Sequence, residues 1–484
     1  MHFALITKIL GILLMVFSFT MAPPVAIAYW YNDGSEMAFL AAFAVIFLLG
    51  LGMWLPVWRH RAELQTRDGF LVVTLFWTVL GVIGGIPFLF NPALDISITD
   101  AVFESVSGLT TTGATVLSGL DALPKSLLFY RQQLQWLGGM GIIVLAIAIL
   151  PMLGVGGMQL YKAETPGPMK EAKLTPRIAE TAKALWFLYV AFTILCAVLY
   201  RAAGMDWFDA VAHSFSTIST GGFSTHDASM AHFDSPTIDM IASLFILIGA
   251  MSFTLHFAAF RSRSLRAYVL DPEFRFFIGL LTIYITMVAV GLWVYDHYHH
   301  NAGTTLRHAI FQVMSFSTGT GLTSTNMAAW PTYVLYFLVL TSFIGGCAGS
   351  TGGGMKVIRS ALVFHHSLRE LRRLIYPSGV FAVGFGNRST DDRVLQAVWG
   401  FVGVYIMLAV IFTMIFIMTG LDPGTALATS AASLNNVGQG IAGVASGFGD
   451  ITDFAKWMMC FAMLLGRLEV FTMLVLFMPL FWRQ

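Results

Sequence analysis

Apolar residues run in long stretches separated by short polar ones. The lengths predict membrane-spanning helices near residues 3–28, 37–58, 70–90, 132–153, 182–203, 237–258, 276–295, 332–350, 396–420 and 454–481, since about 20 apolar residues cross a hydrocarbon core of about 30 Å. The first run ends in Ala26-Ile27-Ala28 behind Lys8, like a signal-cleavage site. Its length and the second run that follows at once favour a retained span.

Four polar breaks interrupt this pattern and can be set in register without gaps. The sixteen-residue blocks are ITDAVFESVSGLTTTG ending at Gly113, WFDAVAHSFSTISTGG at Gly222, LRHAIFQVMSFSTGTG at Gly321 and PGTALATSAASLNNVG at Gly438. Each ends in glycine and carries alanine at its fourth position (Ala101, Ala210, Ala309, Ala426). Serine fills the tenth position in three blocks (Ser107, Ser216, Ser315), with Ala432 in the last. A second glycine follows each block by 25, 27, 24 and 28 residues, at Gly138, Gly249, Gly345 and Gly466. The unit therefore repeats as span, short re-entrant helix, extended polar segment and second span, because about ten apolar residues are too few to cross.

Non-helical backbone at membrane depth is tolerated where it is buried in protein or lines a watery cavity. Four such segments around one axis make a polar pore. The block glycines can turn carbonyl oxygens toward that axis at little steric cost, and Thr110, Thr111, Thr112, Ser219, Thr220, Thr318 and Thr320 can add hydroxyls. An uncharged ring of oxygens suits a hard monovalent cation, whereas calcium or magnesium calls for carboxylates. Asp100 and Asp209, near the starts of the first two short helices, are expected to cap them.

Composition agrees with a polytopic membrane protein: 484 residues, 57% hydrophobic, 11% charged, with a mean hydropathy of +0.75. Cys196, Cys347 and Cys460 lie in apolar or small-residue stretches and form no disulfide framework or zinc spacing. Lysine and arginine collect after alternate spans (Arg59, Arg61, Arg67; Lys162, Lys170, Lys173, Arg177; Arg261, Arg263, Arg266; Arg369, Arg372, Arg373, Arg388). The positive-inside rule then places both termini in the cytoplasm. A net charge of +1 gives no sign of a nucleic-acid partner.

The segments GLTTTGAT, GGFSTHDAS, GGCAGSTGGGMKVIR, NNVGQG and GRLEVFT make the chain resemble the TrkH-type membrane subunits of Trk potassium uptake systems, within the Trk/Ktr/HKT superfamily, over essentially its whole length. That resemblance implies an all-α fold of ten transmembrane helices. Two extra helices (1–67) precede four pseudo-fourfold pore repeats (68–160, 175–260, 268–365 with a broken second helix, and 390–484). It implies a selectivity filter of Thr111, Thr112 and Gly113; Thr220, Gly221 and Gly222; Gly319, Thr320 and Gly321; and Asn436, Val437 and Gly438. It further implies potassium as the ion bound and carried, no organic cofactor, a homodimer surrounded by lipid in a bacterial inner membrane, and a cytosolic nucleotide-binding regulator of the TrkA type. The fourth block has asparagines where the first has threonines, so its wall need not supply the same ligands.

The run Gly352, Gly353, Gly354 in GSTGGGMK lacks the GK[ST] ending of a phosphate-binding loop. It is expected to break a helix below the filter, and the family uses such a loop as a gate. Close packing of small residues is the plainer reading. At the second marker the first three repeats place Gly139, Ala250 and Gly346 where the fourth has Arg467. An arginine at membrane depth is expensive unless it faces protein or water. Glu469, two residues on, does not face it along a helix, so the carbonyls of the Gly352–Gly354 loop are its expected partners in holding a gate closed, with a structural ion pair as the alternative. The DHYHH loop from Asp296 has metal-ligand types without a supporting pattern, and HHSLRELRRLIYPSGV from His365 is a positive-inside segment and a candidate regulator dock. The function expected is gated potassium uptake through a pore, not an enzymatic activity. The alternatives are proton- or sodium-coupled potassium symport, or a coupled small-solute carrier, which inverted repeats would favour.

Overall fold

The computed structural model of the chain describes residues 1–60, 65–144, 174–386 and 388–483. It is an all-α membrane-type fold; among the described residues the only sheet is a hairpin pairing Gly384–Phe385 with Arg388–Ser389. Among the described residues, six apolar helices are long enough to cross a membrane: Phe3–Tyr31, Glu36–Val57, Arg67–Phe90, Ala182–Ala202, Pro272–Val294 and Asp392–Met418. Two further pairs qualify together but are bent, Pro236–Ala250 with Phe253–Ser262 by 95° and Asp453–Arg467 with Phe471–Phe477 by 108°.

The run expected to cross at 332–350 does not stay helical. Its helix spans Thr332–Ser342, and the next begins at Val357. Gly345, Gly349 and Gly354 between them hold left-handed backbone, which a continuing helix forbids. The span expected over 132–153 begins in the helix Lys125–Val144 and then leaves the described residues, as do Arg61, Lys162, Lys170 and Lys173.

The two leading helices cross at glycines. A β-carbon on Gly11 would lie 2.7 Å from the Gly50 carbonyl oxygen, and one on Gly50 2.7 Å from that of Gly11. Backbones approach this closely at small-residue crossings in lipid, where packing rather than water exclusion drives association. The largest apolar cluster joins these helices to the first and fourth blocks through Phe17, Phe39, Trp77, Phe103, Tyr405 and Phe412.

The four blocks fold alike because each carries the same start and stop signals. The short helices are Ile98–Leu109, Trp207–Ile218, Ala302–Thr318 and Pro423–Leu434. They start on Ser97, Asp206, Asn301 and Asp422, whose side chains accept from the backbone N–H three residues on, the usual N-cap arrangement. Asp100 and Asp209 were expected in that role. Each helix begins too early for the capping role, but both fall in the first turn, at the positive end of the helix dipole as expected, and Asp100 also pairs with Lys456 (Nζ to Oδ1, 2.7 Å).

The stops are equally regular. The N–H groups of Thr112, Gly221, Thr320 and Val437 return to the carbonyls of Ser107, Ser216, Ser315 and Ala432 at 2.8, 2.8, 2.8 and 3.0 Å. These are the tenth residues of the blocks, so the position singled out in the sequence supplies the closing carbonyl of each Schellman-type turn. All four fourth-position alanines are fully buried.

Candidate functional site: a ring of four helix stops

Beyond each helix the backbone is left-handed, then not, then left-handed again. The first left-handed residues are Thr111 (φ 51°), Thr220 (52°), Gly319 (82°) and Asn436 (53°); the second are Gly113 (84°), Gly222 (85°), Gly321 (79°) and Gly438 (69°). Between them lie Thr112, Gly221, Thr320 and Val437.

The four segments close on one another. A β-carbon on Gly113 would fall on the Gly221 carbonyl oxygen, one on Gly222 on that of Thr320, one on Gly321 on that of Val437, and one on Gly438 on that of Thr112. Each final glycine therefore faces the penultimate carbonyl of the next block in order, and the fourth returns to the first.

The side chains divide the ring along its diagonals. In blocks one and three, threonine pairs bond to each other, Thr110 with Thr112 at 2.8 Å and Thr318 with Thr320 at 2.7 Å. Blocks two and four have Gly221 and Val437 at the penultimate position and are braced from outside. Gln135 donates from Nε2 to the Gly221 carbonyl (2.6 Å) and accepts from the Phe223 N–H (3.1 Å). Asn435 accepts from the Tyr405 hydroxyl (2.6 Å) and donates to Ser342 Oγ (2.8 Å). The Asn436 amide donates to Thr112 Oγ1 and to the Met463 carbonyl, both at 2.9 Å. The hydroxyls of Thr112 and Thr320 thus take part in bonds within or between the segments.

Behind each segment sits a buried polar residue at the seventh block position: Glu104, His213, Gln312 and Thr429. Glu104 accepts from Arg131 Nε (2.7 Å), the Thr115 hydroxyl and the Val116 N–H, while Arg131 Nη1 donates to the Ser224 carbonyl of the next block at 3.1 Å. Sequence reading missed this pair and Gln135, although an arginine and a glutamate inside apolar runs are the available signal. Ties across other seams join Arg307 to Asp239 (2.7 Å) and Lys456 to Asp100.

The Gly352–Gly354 segment lies against the inner turns. A β-carbon on Gly353 would strike the Asn435 carbonyl, and one on Gly352 would come within 2.6 Å of that of Thr318. The Thr351 hydroxyl donates to the carbonyls of Ile218 (3.1 Å) and Gly249 (2.9 Å). Buried Arg467 donates from Nη1 to the Thr351 carbonyl at 2.9 Å. Its partner is thus the residue just before the glycines and not one of them; the Gly352 carbonyl accepts from Lys356 Nζ. Arg467 Nε and Nη2 have no protein partner among the described residues. Glu469 pairs with Arg359 at 2.7 Å. The left-handed angles of Glu469 and Val470 (both φ 53°) form the sharp bend after Arg467.

This geometry can be set beside known proteins. The family model described as TrkH, cation transport protein, matches residues 35–483. The chain belongs to the TrkH family. Two relatives named Trk system potassium uptake protein TrkH, from Salmonella typhimurium and Vibrio parahaemolyticus, are 52% and 53% identical to it, with all of each chain covered. The crystal structure titled as the potassium transporter TrkH from Vibrio parahaemolyticus superposes with a TM-score of 0.93 at 50% identity, over the whole of both chains. TrkH proteins are transporters rather than enzymes.

Proposed function

We propose that this chain is the translocating subunit of a Trk-type system and takes up potassium through a pore enclosed by the four blocks. The closed ring of final glycines and penultimate carbonyls carries the reading. Left-handed angles on either side of one ordinary residue can rotate successive peptide planes so that carbonyl oxygens face a common axis, where they replace the hydration shell of a monovalent cation.

In this reading Thr111 to Gly113, Thr220 to Gly222, Gly319 to Gly321 and Asn436 to Gly438 form the filter, with the diagonal pairs supplying unlike walls. The charge of Glu104 is answered by Arg131 behind the ring, so the filter itself presents uncharged oxygens. The loop of Gly352, Gly353 and Gly354 lies across the path below, and Arg467 holds it there and repels cations. Ten spans are then counted as two leading helices and four repeats, with both termini in the cytoplasm of a bacterium and the protein a homodimer in its inner membrane. A TrkA-type regulator docks near the end of the helix Val357–Ile375, where Leu371, Leu374, Ile375 and Tyr376 are exposed beside Arg372 and Arg373.

The test is ion discrimination. Gly113→Ser or Gly321→Ser puts a side chain on a left-handed residue and into the neighbouring carbonyl, so uptake of rubidium should lose its preference over sodium or stop. A well-inserted variant that discriminates like the parent protein would overturn the filter assignment.

A further inference from the structure

Away from the ring, the described residues bring three metal-ligand side chains together in Asp121, His226 and His232, with one ligating atom of each within 4.8 Å of the others. None of them belongs to the DHYHH loop, where His300 faces the carboxylate of Asp296 at 3.4 Å and the ring of Trp293. Asp121 lies in the turn Leu120–Ala122 after the first block. His226 stands four residues past Gly222, and His232 lies in the turn Ser229–Phe233. The group therefore joins the outer loops of two blocks, and Asp121 and His232 are exposed.

The surroundings of His226 are those of a metal-binding imidazole. Its Nε2 faces Asp209 Oδ2 at 3.2 Å, and that carboxylate is itself held by the Thr225 hydroxyl at 2.7 Å. A carboxylate on the far nitrogen fixes the orientation and tautomer of histidines that bind metals through the other nitrogen. Here the other nitrogen, Nδ1, points at Asp121 Oδ1, and the His232 ring stacks on His226 with centroids 3.5 Å apart and planes 3° from parallel. His213 is already engaged, with Nδ1 at the Asp209 carbonyl and Nε2 at Ser224 Oγ, both at 2.9 Å, and so contributes no ligand.

We propose that Asp121, His226 and His232 form a binding site for a divalent transition metal of the zinc class on the outer face of the protein. Two imidazoles, one carboxylate and a water make a four-coordinate zinc site of ordinary composition, and imidazole nitrogen disfavours magnesium and calcium, which prefer oxygen ligands. Without metal, both His226 nitrogens face carboxylate oxygens, which favour a proton on each of them. The metal takes the place of the Nδ1 proton, which leaves to solvent, and Nε2 keeps its proton and donates it to Asp209. Ligand atoms around zinc at about 2.0–2.1 Å stand about 3.3 Å apart, so the site closes by rotation of the exposed Asp121 and His232 side chains.

Binding itself is the readout. The tag-free full-length protein in lipid nanodiscs is titrated calorimetrically with zinc chloride, in a buffer that does not chelate, with and without a hundredfold excess of magnesium. One saturable zinc per chain is expected, indifferent to magnesium. Both His232→Ala, which leaves the His226–Asp209 bond intact, and Asp121→Asn should bind at least tenfold more weakly, and His297→Ala should bind like the parent. A parent protein without a saturable site, or a His232→Ala variant that elutes as a folded dimer and binds zinc as tightly as the parent, overturns the proposal.

Discussion

Three of the four residues that begin the left-handed segments carry side chains, Thr111, Thr220 and Asn436, although glycine adopts that conformation freely. Each costs on the order of 1–3 kcal/mol, and at two of them the side chain makes bonds that offset it: Thr220 to Thr351 Oγ1 at 3.1 Å, and Asn436 to Thr112 and Met463. Gln135 plays a comparable part for the second block. Gln135→Ala leaves a buried carbonyl and a buried N–H without partners, a loss of about 1–3 kcal/mol. The segment it holds should then sample more conformations, so rubidium uptake should become less selective against sodium at near-normal expression, as paired isotope-uptake measurements can check. The ion pair behind the first block is more demanding. Arg131→Ala strands a buried carboxylate, at a cost of about 3–5 kcal/mol, and should lower the unfolding temperature in detergent; adding Glu104→Gln should restore part of it.

At the scale of elements, two arginines connect the loop below the ring and the bend after Arg467 to their surroundings. Arg467 reaches the loop through one hydrogen bond to Thr351, and Arg359 reaches the bend through Glu469. If Arg467 secures a closed loop, Arg467→Ala should pass potassium faster than the parent in regulator-free liposomes; equal rates in well-folded protein would remove it from the gate. Much of this layout could be read from the chain. The glycine that ends each block foretold where four short helices stop, since glycine adopts the left-handed angles there at little cost, and the GGG run foretold a broken helix. The bracing was not legible: Gln135 and Gly221 are 86 residues apart, and Tyr405 and Asn435 are 30 apart. Nothing local in a side chain's type announces a partner brought to it only by closure of the ring. Asp100 and Asp209 misled for a related reason, because the caps lie three residues before them and a cap and a first-turn acid look alike in sequence.

At the scale of the molecule, the proposed topology makes a pattern that can be mapped in intact cells. Cysteines introduced near Asp33, Ala122, Met205, Asn301 and Asp422 should react with impermeant reagents from outside, and those near Arg61, Lys173, Arg263 and Arg372 should be protected; reversal at two of the four repeats would dissolve the parallel arrangement on which the pore rests. The seams between blocks are not tied alike: an arginine meets a carbonyl at the first, ion pairs with different cations close the second and the last, and an asparagine amide meets a serine hydroxyl at the third. That unlikeness has an evolutionary consequence. A channel assembled from four identical subunits meets every substitution four times over, and its ion preference moves in large steps. Here the ring that closes from Gly438 back to Thr112 lies within a single polypeptide, so a codon change alters one wall and spares three. With the proposed filter, ion preference in such a lineage can drift by quarters, and a damaging exchange in one wall can be repaired by another in the wall beside it.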